Sequence, residues 1–254
     1  GGLPFDSYSP LLAAKRGRQT GGLKFMEQGT YYGCCAAIGA AGTGMVPLIS
    51  VMETKQGVVF HFYCSGTVET AQGIFAVNTK MPVKGDTEIS VLTAGNYEIQ
   101  LRIPPYCKSA EVRVNGETVS CAVNSYLVLQ REWKENDLIQ LIFDWDATLL
   151  QAKGFEEDPM SSYHVAIQYG PLILARDERL GSVGTPVTIS DLTLTSSAKA
   201  PFPTMCEFEL ETKEGTITLV DYASAGKDWQ TRMECWMPTK EYEREIWEIP
   251  SQFK

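Results

Sequence analysis

Tyr97-Glu98-Ile99-Gln100-Leu101-Arg102-Ile103 places an apolar side chain at every second position. An extended strand turns successive side chains to opposite faces, so this pattern makes one apolar face and one polar face. A few residues on, Ala110-Glu111-Val112-Arg113-Val114 repeats the alternation and runs into Asn115-Gly116. Asn-Gly suits a type I′ turn, the tight turn that matches strand twist, so a hairpin is expected there.

Working outward, the same texture recurs. Residues 58–64 form a strongly apolar run ending at Cys64, and residues 88–92, 126–129 and 138–143 continue the series. Strands at roughly ten-residue spacing with no helical period between them indicate a sandwich or barrel. A second set begins near Leu150, with candidate strands at 164–167, 171–175, 207–211 and 216–220. Lys213-Glu214-Gly215 reads as a further hairpin turn, and residues 154–162 as a linker or edge loop. The economical partition is two β-modules, residues 51–150 and 151–254. The expected fold is therefore all-β, two consecutive antiparallel β-sandwich domains.

Residues 1–50 differ. Residues 3–29 are rich in Gly, Pro and Ser, whereas residues 36–50 are small and apolar: Ala36, Gly39, Ala40, Gly42 and Gly44 lie among Ile38, Met45 and Val46. Each interior glycine costs an isolated helix about 1 kcal/mol relative to alanine. Small residues three or four apart let a helix approach another backbone closely, so this segment reads as a helix that packs inside a larger helical body.

The chain has 254 residues, 44% hydrophobic and 21% charged, which is ordinary globular composition. Its net charge is −9, with +2 in residues 1–50 and −11 in the remainder. An acidic body argues against nucleic acid or an anionic membrane as partner; the short basic stretch Lys15-Arg16-Gly17-Arg18 reads as a solvated loop. No apolar run approaches the roughly 20 residues that span a bilayer. The opening Gly1-Gly2-Leu3 has no Met, so the chain reads as a processed or cut piece.

Seven cysteines is an odd number, and Cys64, Cys107, Cys121, Cys206 and Cys235 have no repeated spacing. A reducing, cytoplasmic compartment is favoured on that ground, with Cys64 a small buried hydrophobe ending its strand. Cys34 and Cys35 are different. Adjacent side chains cannot share one buried face of a helix or strand, so packing explains the pair poorly. Two neighbouring thiolates are half of a metal site.

At Tyr32-Gly33-Cys34-Cys35 the sequence resembles glycoside hydrolase family 127, the bacterial β-L-arabinofuranosidases first catalogued as a domain of unknown function. Phe5-Asp6-Ser7-Tyr8-Ser9-Pro10-Leu11-Leu12 and Arg16-Gly17-Arg18-Gln19 look like the segment closing the family's catalytic barrel. Leu101-Arg102-Ile103-Pro104, Val114-Asn115-Gly116 and Arg131-Glu132-Trp133 look like its middle β-domain. Gln168-Tyr169-Gly170-Pro171-Leu172 and Ser224-Ala225-Gly226-Lys227-Asp228-Trp229 look like the next one.

The resemblance implies the C-terminal part of a glycoside hydrolase acting on arabinofuranosides or related sugars. Residues 1–50 would be a short helical remnant of an (α/α)6 barrel, followed by the two sandwiches. It implies Cys34 as nucleophile and zinc held in the parent enzyme by Cys34 and Cys35, with the other ligands and a glutamate acid/base upstream. The fragment itself would be inactive and hold no zinc. The carbohydrate substrate would bind through the missing barrel, and the sandwiches would brace that barrel, with a homodimer a further role open to them. The chain departs from the family pattern in carrying Tyr32 where a third cysteine stands and Ala36-Ala37-Ile38 where Pro-Pro-Asn follows the pair. That points to a subfamily with a different substrate or to another role for the pair. The rival reading from another class is a non-catalytic carbohydrate-binding or structural β-module.

Other side chains read more plainly. His61 between Phe60 and Phe62 would face opposite them on a strand as a surface or edge histidine, and His164 is read the same way. Asp144-Trp145-Asp146 fits a strand ending in a solvated turn, with a sugar site the sharper alternative. Glu156-Glu157-Asp158 reads as a solvated acidic loop, and Trp133, Trp229, Trp236 and Trp247 as core or interface residues.

Overall fold

The computed structural model describes residues 13–15, 24–25, 31–32, 34–151, 164–228 and 230–239. The first described elements are β1 (Ala14–Lys15), β2 (Lys24–Phe25), β3 (Tyr31–Tyr32) and α1 (Cys34–Ser50). Then come β4 (Val51–Glu53), β5 (Gly57–Phe60), β6 (Gly66–Glu69), β7 (Ile74–Thr79), β8 (Gly85–Val91) and β9 (Gly95–Ile103). These lead to β10 (Ser109–Val114), β11 (Glu117–Val119), β12 (Ser125–Trp133), β13 (Leu138–Asp144) and β14 (Ala147–Gln151). Beyond the undescribed residues 152–163 lie β15 (His164–Tyr169), β16 (Leu172–Asp177), β17 (Leu194–Ser196), β18 (Glu207–Thr212), β19 (Gly215–Asp221), β20 (Arg232–Glu234) and β21 (Met237–Pro238). The expected linker at 154–162 and the acidic run at 156–158 lie outside the described residues. An all-β region preceded by a helix is what the strand periodicity anticipates.

The described residues separate into two compact units: residues 40–146, and the described parts of 1–39 together with 147–254. In the first, a six-stranded sheet runs β11-β10-β13-β8-β7-β6 and a four-stranded sheet runs β12-β9-β5-β4. Their inner faces form the core. Tyr97, Ile99, Leu101 and Ile103 of β9 are buried and the residues between them are not, as period two requires. Across the sandwich, Phe60 meets Phe75 edge-on at 5.7 Å, and Phe75 meets Tyr97 at 6.0 Å. Trp133 is fully buried; its indole N–H donates to the Tyr97 carbonyl at 3.0 Å, so its one polar atom is satisfied inside the core.

The hairpin at Asn115-Gly116 forms as expected. Both residues have positive φ, 54° and 85°, which a type I′ turn demands. The Asn115 side chain accepts from the Leu138 N–H at 2.8 Å and donates to Asp137 at 2.8 Å, tying the turn to the start of β13.

Among the described strands, one pairing departs from antiparallel order. β5 runs parallel to β9, Gly57 opposite Glu98 and Phe60 opposite Leu101. A Cβ at Gly57 would lie 1.8 Å from the Glu98 carbonyl oxygen, so only glycine admits this approach. The strand also ends at Phe60, short of the expected 58–64 run. His61 and Phe62 instead turn back, their N–H groups donating to the Ser50 carbonyl at 2.8 and 3.2 Å.

The second unit centres on β16. It pairs with β15 and β19 along residues 172–175, and with β20 at Arg176 and Asp177, so the strand serves two successive neighbours. Gly170 (φ 54°) and Pro171 close the β15–β16 hairpin. Lys213 and Glu214 close β18–β19, the expected second hairpin. Ala175, Val220, Ala225, Met233 and Cys235 pack together, with Trp236 and Phe202 against them.

Charges are buried here in matched sets. Arg176 reaches Glu234 at 2.7 Å, with both side chains almost fully buried, and the same guanidinium donates to the Thr185 carbonyl and hydroxyl at 2.9 and 2.8 Å. Asp177 accepts from the Arg179 guanidinium and from the Gly226 N–H at 2.7 Å. Arg179 also lies 3.5 Å over the Phe202 ring. Burial alone would raise the Asp177 carboxyl, but these donors outweigh it and hold it below its ordinary value.

Two outcomes follow from this packing. Leu101→Ala leaves a void between the sheets and lowers stability by roughly 2–5 kcal/mol in urea unfolding. The stabilisation from Asp177 is complete above its unfolded pKa of about 3.9 and is lost as pH falls through the lower folded value. Asp177→Asn therefore flattens the acid limb of the stability curve measured by thermal melts, and equal limbs in both proteins would refute the assignment.

Candidate functional site

The cysteine pair stands at the start of α1, Cys34 being its first residue and Cys35 its second. The side chains of both lie outside the described residues. From Ile38 to Leu48 the helix is exposed on every face, including Ile38 (70%), Met45 (53%) and Leu48 (74%). An apolar helix of this kind ordinarily lies within a larger body. A Cβ added at Gly39, Gly42 or Gly44 would meet nothing within 4 Å, so the close packing expected from these small residues is not supplied by the described residues.

Three of the remaining thiols, Cys107, Cys121 and Cys206, are poor nucleophiles. Burial, with smaller contributions from nearby charges, pushes Cys107 up to about 11 and Cys206 up to about 12; burial also raises Cys121. Cys64 is exposed, against the expectation of a buried hydrophobe, because β5 stops at Phe60 and carries Cys64 out of the core. Among the described residues no three His, Cys, Asp or Glu side chains cluster to hold a metal ion.

His61 is a partly exposed histidine, as anticipated, but not on a strand: Phe60 is fully buried while Phe62 is 40% exposed. Its Nδ1 lies 2.7 Å from the Tyr126 hydroxyl, and the rings meet edge-on at 5.6 Å. Arg102, directly opposite Tyr126, lies 5.8 Å from the Phe62 ring. That Tyr126 is the partner of His61 was not legible in the sequence. The only signal was the alternation along β12, which marks Tyr126 and Val128 as one face without saying what shares it.

His164 begins β15 opposite Pro238 and acts on the buried Glu234, whose carboxyl burial raises despite the surrounding donors and cations. Asp144-Trp145-Asp146 is the solvated strand end: Trp145 is buried against Tyr106, and Asp146 pairs with exposed Lys108 at 2.8 Å. Trp133 is a core residue, and Trp236 packs against the core of its unit, whereas Trp229 and Trp247 lie outside the described residues. No helix among the described residues is long and apolar enough to cross a membrane.

These features define a β-protein of two units led by a cysteine-bearing helix, with no cluster of three metal-ligating side chains among the described residues. The family described as beta-L-arabinofuranosidase, GH127 middle domain, matches residues 57–145, within the unit of residues 40–146. Solved structures share the fold, among them the following three. A glycoside hydrolase aligns with TM-score 0.66 and 21% identity over 82% of this chain and 40% of its own. A GH127 beta-L-arabinofuranosidase from Geobacillus stearothermophilus T6 aligns at 0.63 and 19%, over 81% and 38%. A GH127 beta-arabinofuranosidase aligns at 0.69 and 18%, over 87% and 41%. The chain thus spans about two fifths of the length of each. No curated protein matches the sequence. Residues 57–145 are thus similar to the GH127 middle domain, and the likeness of fold to these structures runs through most of the chain.

Proposed function

We propose that this chain is the C-terminal part of a glycoside hydrolase that cleaves arabinofuranosides or related sugars. The observation that carries the reading is the match of residues 57–145 to the GH127 middle domain, preceded in sequence by the exposed helix that begins with the cysteine pair. In this reading residues 1–50 close the catalytic barrel, and residues 51–150 and 151–254 are the two β-domains that brace it. The exposed apolar residues of α1 support it, since an apolar helix suits the interior of a helical barrel.

Cys34 is the nucleophile of this proposal. Its thiolate attacks the anomeric carbon, forming a carbon–sulfur bond as the glycosidic bond breaks. The departing oxygen takes a proton from a general acid outside this chain, and water then releases the sugar with net retention. A helix N-terminus favours a thiolate over a thiol, which supports the first position of α1 as a place for this role. The donor chemistry of Cys34 and Cys35 suits zinc, which would hold a bound cysteine deprotonated, but two thiolates supply half of a tetrahedral set. The rest of the site lies outside this chain in this reading, so the chain alone turns over no substrate.

The test is hydrolysis of a chromogenic β-L-arabinofuranoside by the protein expressed from its complete reading frame. Cys34→Ala is expected to lower kcat by about a thousandfold or more with the fold retained by circular dichroism; equal activity in both proteins would remove Cys34 from the chemistry. For the present chain alone, metal analysis after dialysis is expected to give well under one zinc per molecule. Stoichiometric, thiol-bound zinc would show that the pair does not need ligands from elsewhere.

A further inference from the structure

The outer face of the six-stranded sheet carries a groove of about 360 Å³. Four polar side chains cross its floor in one transverse row. Asn78 on β7 is directly opposite Glu88 on β8, Glu88 is opposite Gln140 on β13, and Gln140 is opposite Arg113 on β10. Strands lie about 4.8 Å apart, so the row extends roughly 14 Å. Beside it, Ile142 offers a 41% exposed aliphatic surface opposite Asp86, and Asp86 pairs with Lys80 at 3.0 Å.

The row is held in place yet keeps hydrogen-bonding capacity. Gln140 donates to one Glu88 oxygen at 3.0 Å, and Arg113 uses its Nε on Glu111 at 2.6 Å. Among the described residues, the Asn78 side chain, the second Glu88 oxygen and the terminal nitrogens of Arg113 take part in no further hydrogen bond or ion pair. The row therefore offers donors and acceptors in alternation, both of which a hydroxyl uses. Lys80 and Arg113 match Asp86 and Glu88 in number within the lining, and Glu111, paired with Arg113, brings the immediate surroundings to −1, so the groove has no positive charge to attract a phosphate or a uronate. Planar polar groups beside an exposed aliphatic patch match the amphipathic surface of a sugar, whose hydroxyls ring an apolar C–H face. A volume of this size lies in the range of small-ligand sites.

We infer that this groove binds a neutral oligosaccharide, independently of any cleavage. The choice of arabino-oligosaccharides as first probe rests on the proposed function; the groove itself does not. Calorimetric titration of the full chain with arabino-, xylo- and gluco-oligosaccharides tests it, with an oligogalacturonate as the anionic arm. At least one neutral oligosaccharide is expected to bind in the micromolar to millimolar range. Gln140→Ala and Arg113→Ala, and Asn78→Ala should either of these misfold, are each expected to weaken that binding by about tenfold. Tyr126→Ala, on the other sheet, leaves it unchanged. Binding of xylo- or gluco-oligosaccharides alone supports the groove while counting against an arabinofuranoside substrate. The inference is overturned by no heat with any neutral sugar at millimolar concentration, by tighter binding of the oligogalacturonate, or by affinity that survives the row substitutions.

Discussion

The first unit is organised by a close backbone approach at Gly57. There β5 enters parallel to β9, near enough that a single methyl group would collide with the Glu98 carbonyl. The approach makes β5 an interior strand between β9 and β4, and all four of its residues are buried. It sets Phe60 against Phe75 at the centre of the sandwich. It also fixes where the chain must leave the sheet, and the exit places His61 beside Tyr126 and Phe62 beside Arg102. Substituting Gly57 would therefore disturb the core and that surface together.

The second unit rests on a different principle. Its centre is crossed by Arg176, Asp177, Asp221 and Glu234, all buried. Such charges are tolerated only when partners replace the lost water. Asp221 illustrates the economy: one carboxylate accepts from the Met205 and Ser224 N–H groups at 2.8 and 3.0 Å, pinning two loops to the end of β19. Gly226, with φ 61°, turns the following loop so that its N–H meets Asp177. Within the segment read in the sequence as Ser224-Ala225-Gly226-Lys227-Asp228-Trp229, Ser224 and Gly226 thus serve as scaffold for this network.

Much of the fold was legible because alternation and turn chemistry are local. β8, β9, β10 and β13 follow the period-two pattern almost residue for residue, and the Asn115-Gly116 and Lys213-Glu214 turns fall where those residue types demand. What was not legible depends on neighbours distant in sequence. Nothing in residues 58–64 reveals that β5 pairs in parallel, or that the strand stops at Phe60 and leaves Cys64 exposed. Of the candidate site, the helix over residues 36–50 was readable from its small apolar composition, whereas its start two residues earlier, at the cysteine pair, was not. The site's other ligands and its acid were not, since the proposal draws them from outside this sequence. The buried ion network was equally invisible, because Arg176 and Glu234 are 58 positions apart and meet only through β16 and β20.

The alternation along β8 and β13 divides labour between two faces. Inward, Ile89, Ile139 and Leu141 lock the register, since a shift of one position would drive Glu88 and Gln140 into the core. Outward, the residues between them bear little on folding. The sheet therefore separates what must stay constant from what is open to variation. A lineage could rewrite recognition on this surface a few side chains at a time, changing specificity while the hydrophobic interior passes from one version to the next intact.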